Sequence, residues 1–263
     1  MFLHELRFNR KTTAIWAGSI TALIVFYMAI FPAFSKDASM FQKMLDNYPE
    51  PIRNAFGSSI SSIGTILGFY SFVFVFVLLI GAIQAMNLGT SILSKESRER
   101  TADFLLTKPV SRLRIMTSKL MAAFTLLLAT NVICYAAAAI MANIVKTNDY
   151  NRLIFFMISA TLFFVQIIFF VLGVIISVFF QRLKSVLPIS LGTVFAFFFI
   201  GMLIATDKDD PARFITPFKY FDTSYIIKNS SYEVPYLLAA SAFIIAAVAA
   251  SYIIYSKKDI HAV

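Results

Sequence analysis

Residues Leu153–Phe180 read LIFFMISATLFFVQIIFFVLGVIISVFF, a run with no acidic or basic side chain from end to end. As a helix rising 1.5 Å per residue it would extend about 42 Å, well beyond the roughly 30 Å hydrocarbon core of a bilayer. Its apolarity is continuous, whereas a barrel strand alternates over about ten residues. The stretch reads as a helix across a membrane, and it sets the fold class of the chain as an all-α polytopic membrane protein.

Five further apolar runs repeat the pattern: Thr13–Phe34, Ile66–Leu93, Leu120–Asn143, Val186–Thr206 and Tyr236–Tyr255. With Leu153–Phe180 they make six expected spans. Composition agrees, since 59% of the chain is hydrophobic and only 14% is charged. A soluble domain needs about a quarter of its residues charged to wet its surface, so a buried soluble core is excluded. The first run follows a basic segment, as a cleaved signal would, but it is longer than a signal core and is read as a retained helix. The single cysteine, Cys134, lies inside the third span and can form no intrachain disulfide; it reads as a small core residue. No internal repeat or low-complexity linker divides residues 1–263, which read as one six-span domain.

Six spans put both termini on one side. The N-terminus, the 94–119 and 181–185 loops and the C-terminus carry 14 of the 23 Lys and Arg, against 5 of the 14 acids. The other side carries nine of each. The formal charge of +9 therefore gathers on one side, which the positive-inside rule assigns to the cytoplasm. The expected location is the plasma membrane with both termini cytoplasmic. Topology accounts for the basic excess, so nucleic acid is not an expected partner.

Three segments between or before the spans carry local signals. Met1–Lys11 interleaves Phe2, Leu3, Leu6 and Phe8 with Arg7, Arg10 and Lys11, which suits a short interfacial helix with its basic groups toward lipid phosphates or a basic tail. The 35–65 loop contains a candidate short helix, Met40–Tyr48, ended by Pro49 and Pro51. In 211–228, Pro211 and Pro217 preclude one long helix, and Phe214, Phe218, Tyr220, Phe221 and Tyr225 give the aromatic density of a membrane interface. The charges of Arg213, Lys219, Asp222 and Lys228 are too many for a buried span, so the pieces are expected to lie shallow, either as a re-entrant cap or as an aromatic anchor.

What the spans lack is informative. No span holds an Asp, Glu, Lys, Arg or His near its middle, where such groups mark proton relays and ion paths. The intramembrane polar residues are Gln84, Asn87, Asn131 and Gln166; they read as bonds between helices or as lining of a path. The two histidines, His4 and His261, stand at opposite ends of the chain, and no H-E-x-x-H or Cys/His spacing suggests zinc. No G-x-x-x-x-G-K-[ST] phosphate loop occurs, so any ATP hydrolysis belongs to another polypeptide.

The segment after the second span reads Ser94-Lys-Glu-Ser-Arg-Glu-Arg-Thr-Ala-Asp-Phe-Leu-Leu-Thr-Lys-Pro-Val-Ser-Arg112. Lys95–Thr107 is made of helix formers. Glu96 and Arg100 stand at i,i+4 and Arg100 and Asp103 at i,i+3, both supportive pairs in a helix. Ala102, Leu105 and Leu106 form an apolar patch after a charged first half. Pro109 stops the helix and biases Lys108 to extended backbone, and Ser111 is placed to cap the next one. A short amphipathic helix between two rigid spans can take force from a partner, though an ordinary interfacial loop would have similar composition.

The run E-S-R-E-R-T-A-D-F-L-L-T-K-P-V-S-R with Lys119 resembles the signature of ATP-binding-cassette permeases of the type-two exporter class. Thr216-Pro217-Phe218-Lys219-Tyr220-Phe221 and Tyr255-Ser256-Lys257-Lys258-Asp259 are similar to two further segments of those proteins. The resemblance spans the chain, but only 96–119 is specific, and the 35–65 loop is larger than the family minimum.

The resemblance implies an exporter of two permeases, expected to be two copies of one chain, and two cytoplasmic ATPase subunits. The cofactors ATP and Mg would then lie in the partner ATPase and none in this chain. It implies ATPase coupling by Glu96, Arg98, Glu99, Arg100, Thr101, Asp103, Leu105, Leu106, Pro109 and Arg112. It also implies an extracellular gate at Pro217, Phe218, Tyr220 and Phe221. The first, second and fifth spans become the dimer interface, and alternating access becomes the mechanism. No catalytic or metal site is expected. Candidate substrates are an amphipathic peptide, antimicrobial peptides included, a hydrophobic compound, a lipid-linked molecule or an ion. The alternatives are a peptide-sensing membrane subunit and a lipid enzyme, the latter without an evident polar catalytic cluster.

Overall fold

A computed structural model describes residues 1–36, 47–49, 64–98, 111–146, 148–180, 185–204 and 211–257. Among these residues there are seven α-helices and no strand: α1 Phe2–Lys36, α2 Ile66–Arg98, α3 Arg112–Val145, α4 Arg152–Phe179, α5 Leu187–Leu203, α6 Thr223–Asn229 and α7 Val234–Lys257. Five of them, α1 to α4 and α7, are long and apolar enough to cross a membrane. α5 has 17 residues, about 25 Å of helix, the short end of what a bilayer accepts. The all-α polytopic class follows. The candidate helix over Met40–Tyr48 lies almost wholly outside the described residues.

Local chemistry sets the helix ends. Ser111 accepts a hydrogen bond from the Arg114 amide and caps α3, as its position after Pro109 suggests. Asn151 accepts from Leu153 and Ile154 at the start of α4. Pro188 sits in the first turn of α5, where its missing N–H costs nothing. Met1–Lys11 departs from expectation. It is not a separate interfacial helix but the first turns of α1, which continues without a break to Lys36. No Gly or Pro interrupts residues 2–17, and Glu5 is buried against protein instead of lying along lipid.

α2 and α4 form the centre. Their apolar windows are 67% and 61% buried, against 28% for α1, 28% for α3 and 17% for α7, whose outer faces meet lipid. α1 packs along α3 with one stripe, Ala17, Ile20, Ile24, Met28 and Phe31, while Ile15 and Phe26 point away. α7 lies on α4, and α5 on α2.

Small residues let the central pair approach. A Cβ on Gly89 would stand 2.1 Å from the Phe170 carbonyl oxygen, and one on Gly173 would stand 2.6 Å from that of Met86. The two backbones are therefore in direct contact, the device by which helices associate where lipid removes the hydrophobic drive.

One to two turns further along, an amide network joins three helices. Gln166 of α4 donates to Gln84 Oε1 of α2 at 3.1 Å and to the Gly81 carbonyl at 3.4 Å. Gln84 donates to Thr130 Oγ1 of α3 at 3.0 Å, and Asn131 donates to Gln166 Oε1 at 2.6 Å. Of the two readings left open for these amides, bonding between helices is what Gln84, Asn131 and Gln166 do. Asn87 instead lines a small cleft between α1 and α2 with Asn9, Thr12, Thr13 and Ser91.

Gly89→Leu should cost more than the 1–3 kcal/mol typical of about one overpacked core site, because the obstacle is backbone. Gly18→Leu should be neutral, since nothing lies within 4 Å of its added carbon. Thermal unfolding in detergent, followed by loss of the monodisperse peak, should separate the two variants clearly; equal midpoints would contradict the close approach of α2 and α4.

Candidate functional site

Two clusters of charge stand at opposite ends of the helices. The first is at the base, where α1 begins, α2 ends and α3 begins. Lys119, about two turns into α3, is 1% exposed and donates to the Ile92 carbonyl of α2 at 2.6 Å. The carboxylate of Glu5 on α1, 6% exposed, lies 3.9 Å from the same ammonium. A buried charge is tolerable only when paired and hydrogen-bonded, and Lys119 obtains both from two other helices. Close by, the Lys95 ammonium of α2 sits 3.0 Å from the ring centre of Phe8 on α1, a cation–π contact. Thr117 and Tyr252 share a hydrogen bond of 2.8 Å that brings in the foot of α7. Four helix ends are thus tied together at this base.

The residues expected to couple to an ATPase divide at this point. Arg112 opens α3 and is half-buried. Glu96 and Arg98 belong to the last turn of α2 by backbone. Glu99, Arg100, Thr101, Asp103, Leu105, Leu106 and Pro109 lie outside the described residues. Both roots of that segment are therefore placed, and Lys119 holds one root to the other. Glu5 was missed from sequence; its only signal is that it is the single acid among the basic residues before the first span.

The second cluster is built by residues 211–233, between α5 and α7. As the two prolines require, this segment is in short pieces: 3-10 turns at Pro211–Ile215 and Pro217–Lys219, then α6 capped by Asp222. It folds back beside α5. Thr216 donates to the Phe197 carbonyl at 2.9 Å, six residues before the helix ends, which is about 9 Å along its axis. The ring of Phe218 packs against Phe169 of α4 and Phe198 of α5, with centres 5.1 and 5.5 Å away. Irregular backbone at membrane depth requires protein cover, and Thr216, Pro217, Lys219 and Phe221 are all buried.

Arg213 organises the pieces. It is 1% exposed, and its guanidinium grips Glu233 through two bonds of 2.7 and 3.2 Å. It also donates to the Lys219 carbonyl at 3.1 Å and stacks on the Tyr236 ring at 4.3 Å. The two-pronged geometry is what arginine offers and lysine does not. Glu233 immediately precedes α7, where negative charge also complements the helix N-terminus. Arg213 and Lys219 are both buried in protein, where Glu233 and the Lys219 carbonyl serve the Arg213 guanidinium in place of water.

The four aromatic and proline positions read as a gate are brought together here, although the arrangement itself assigns them no role. Pro217 starts the second turn. Tyr220 donates its hydroxyl to the Phe214 carbonyl at 2.8 Å, and Phe221 stacks on Phe164 of α4 and meets Tyr232 edge-on. Tyr232 in turn donates to the Met157 carbonyl at 2.8 Å.

Burial lowers the Lys219 amine from its ordinary range to about 8, opposed by nearby Asp222 and aided by Arg213. Burial likewise raises the Asp222 carboxyl, with the Ser224 amide opposing.

Comparison with known proteins adds one match. A family model described as ABC-2 family transporter protein matches residues 1–260. No curated protein matches the chain.

Removing one partner of a buried pair typically costs about 3–5 kcal/mol, because the other charge is stranded. Arg213→Met and Glu233→Met should each expose the buried position Ser224, as Ser224→Cys in a Cys134→Ala background, to thiol labelling at least tenfold faster, and the double variant should be less affected than either alone. Additive effects would contradict the pairing. For Lys219, the unfolded amine holds its proton to about pH 10.5 and the folded one to about 8. The unfolded state therefore binds more protons between these values, and the segment gains stability as pH rises from 8 to 10.5. A 13C-lysine NMR titration, assigned with Lys219→Arg, should give a midpoint near 8.

Proposed function

Because the chain belongs to the ABC-2 family of transporter proteins, whose members are the membrane-spanning subunits of ABC transporters, we propose that it is the permease of an exporter driven by a separate cytoplasmic ATPase. The observation that carries this reading is the length and placement of α2 and α3. They contain 33 and 34 residues, about 50 Å each, so each overruns a core of about 30 Å by several turns. The overrun is polar at the base, where Ser94, Lys95 and Arg98 end α2 and Arg112 and Arg114 begin α3. Two long helices thus hold both ends of the 99–110 connection, at the end that carries the positive charge. In this reading the base is cytoplasmic, and the charged and leucine-bearing segment docks on the ATPase.

The rest of the proposal follows from where force has to go. ATP binding acts on the permease only through different contacts in the two ATPase states. Two copies of the permease face each other, since no span offers charged groups from which one copy could build a polar conduit. The 211–233 segment, packed on α4 and α5, covers the exit. The substrate tolerates an aromatic path, as an amphipathic peptide or a hydrophobic compound does.

Leu105→Asp with Leu106→Asp should abolish retention of the ATPase on affinity-purified full-length permease, with at least a tenfold loss of vanadate-sensitive hydrolysis in the eluate. Membrane insertion should be unchanged. Retained, active ATPase on this variant would overturn the docking assignment.

A further inference from the structure

We infer that Lys119 is a positioning residue that makes α1 a lever: with Glu5 and the Ile92 carbonyl it fastens the roots of the 99–110 segment to the N-terminal turns of α1. The inference rests on the proposed coupling to an ATPase for its purpose, but its geometry does not depend on that reading. The Lys119 ammonium is one group shared by three helices. Its 2.6 Å bond to the Ile92 carbonyl binds the last turns of α2 to α3. The Glu5 carboxylate at 3.9 Å adds α1. Both side chains are almost wholly buried, at 1% and 8% of their side-chain surface, so the attraction is little screened by water or salt.

A displacement of the α2 and α3 roots has a clear route onward. It pulls on Glu5, which sits in a helix uninterrupted to Lys36. That helix rests on α3 along its buried stripe, and at its far end Phe31 and Phe34 lie 5.3 and 5.5 Å from the Phe69 ring at the start of α2. The Lys95–Phe8 contact lies beside the same joint and supports the same movement. An ordinary core lysine would hold two helices together; this one also links the first span to the segment that follows the second.

Lys119 and Glu5 are apt for the task because neither can leave the site cheaply. An unpaired buried charge is costly, so α1 follows the ammonium instead of separating from it.

The test uses full-length permease in nanodiscs, alone and with its co-purified ATPase, and follows backbone hydrogen exchange. Without nucleotide, Lys119→Met should speed exchange across residues 2–12 at least tenfold, and Glu5→Gln, which keeps the Lys119–Ile92 bond, by a smaller factor. Lys119→Arg should restore most of the protection. Trapping with ATP and vanadate should alter exchange at both 99–110 and 2–12 in the unsubstituted protein. In Lys119→Met the response at 99–110 should persist and that at 2–12 should vanish. A purely structural role would weaken both responses together. An unchanged response at 2–12 in Lys119→Met overturns the lever. If no ATPase accompanies the unsubstituted permease, the coupling reading fails instead, and unaltered protection of 2–12 in nucleotide-free Lys119→Met still overturns the clamp.

Discussion

Lipid offers no hydrogen-bond partner, and the arrangement of the helices follows from that constraint at Gln84, Thr130, Asn131 and Gln166. Each amide must find its partner on another helix at one level of the membrane, so α2, α3 and α4 are fixed in rotation and height together. The glycine contacts of α2 and α4 lie beside the network and depend on the same register: a rotation of either helix would turn Gly89 away from Phe170 and strand Gln84. Network and close approach thus support one another, and the remaining helices dress this block. α1 lies on α3, α5 on α2 and α7 on α4.

The charged groups follow the same logic at the two ends of the block. None stands in the middle of a span. Lys119 and Glu5 are buried at the base, and Arg213 and Lys219 are buried at the far end, where Glu233 is part-buried. In each case the pairing joins elements distant in sequence: the start of α1 to the start of α3, and the first 3-10 turn to the start of α7. A permease that carries movement from one side of a membrane to the other needs a stiff middle and jointed ends. An amide network with backbone contact supplies stiffness in the middle, and ion pairs fasten the elements at each end.

Much of the architecture was legible in the residues. Continuous apolar runs gave the spans, Ser111 gave the start of α3, and Pro211 and Pro217 gave the broken segment. The order of helix packing was not legible, for a physical reason: a helix such as Leu153–Phe180 is apolar all round, so periodicity marks no face. Gly81, Gly89 and Gly173 were the available signal for the α2–α4 contact, since small residues permit close approach. The pairs Lys119–Glu5 and Arg213–Glu233 were hidden because their members lie far apart in the chain and their burial depends on the fold. The charges at 213 and 219 were visible in the sequence, but their burial in protein depends on the fold.

In the proposed permease, α2, α3 and α4 move as one block between a base and a far-end segment that do change. Double electron–electron resonance in nanodiscs with the bound ATPase measures this directly, in a Cys134→Ala background. One spin-label pair reports on the block, at Leu128 on α3 and Phe156 on α4; a second reports on the far-end segment, at Ile144 and Ile215, all exposed side chains. The account predicts that trapping ATP with vanadate leaves the first distance distribution unchanged and shifts the second. A shift within the block, or no shift at Ile144–Ile215, would contradict it.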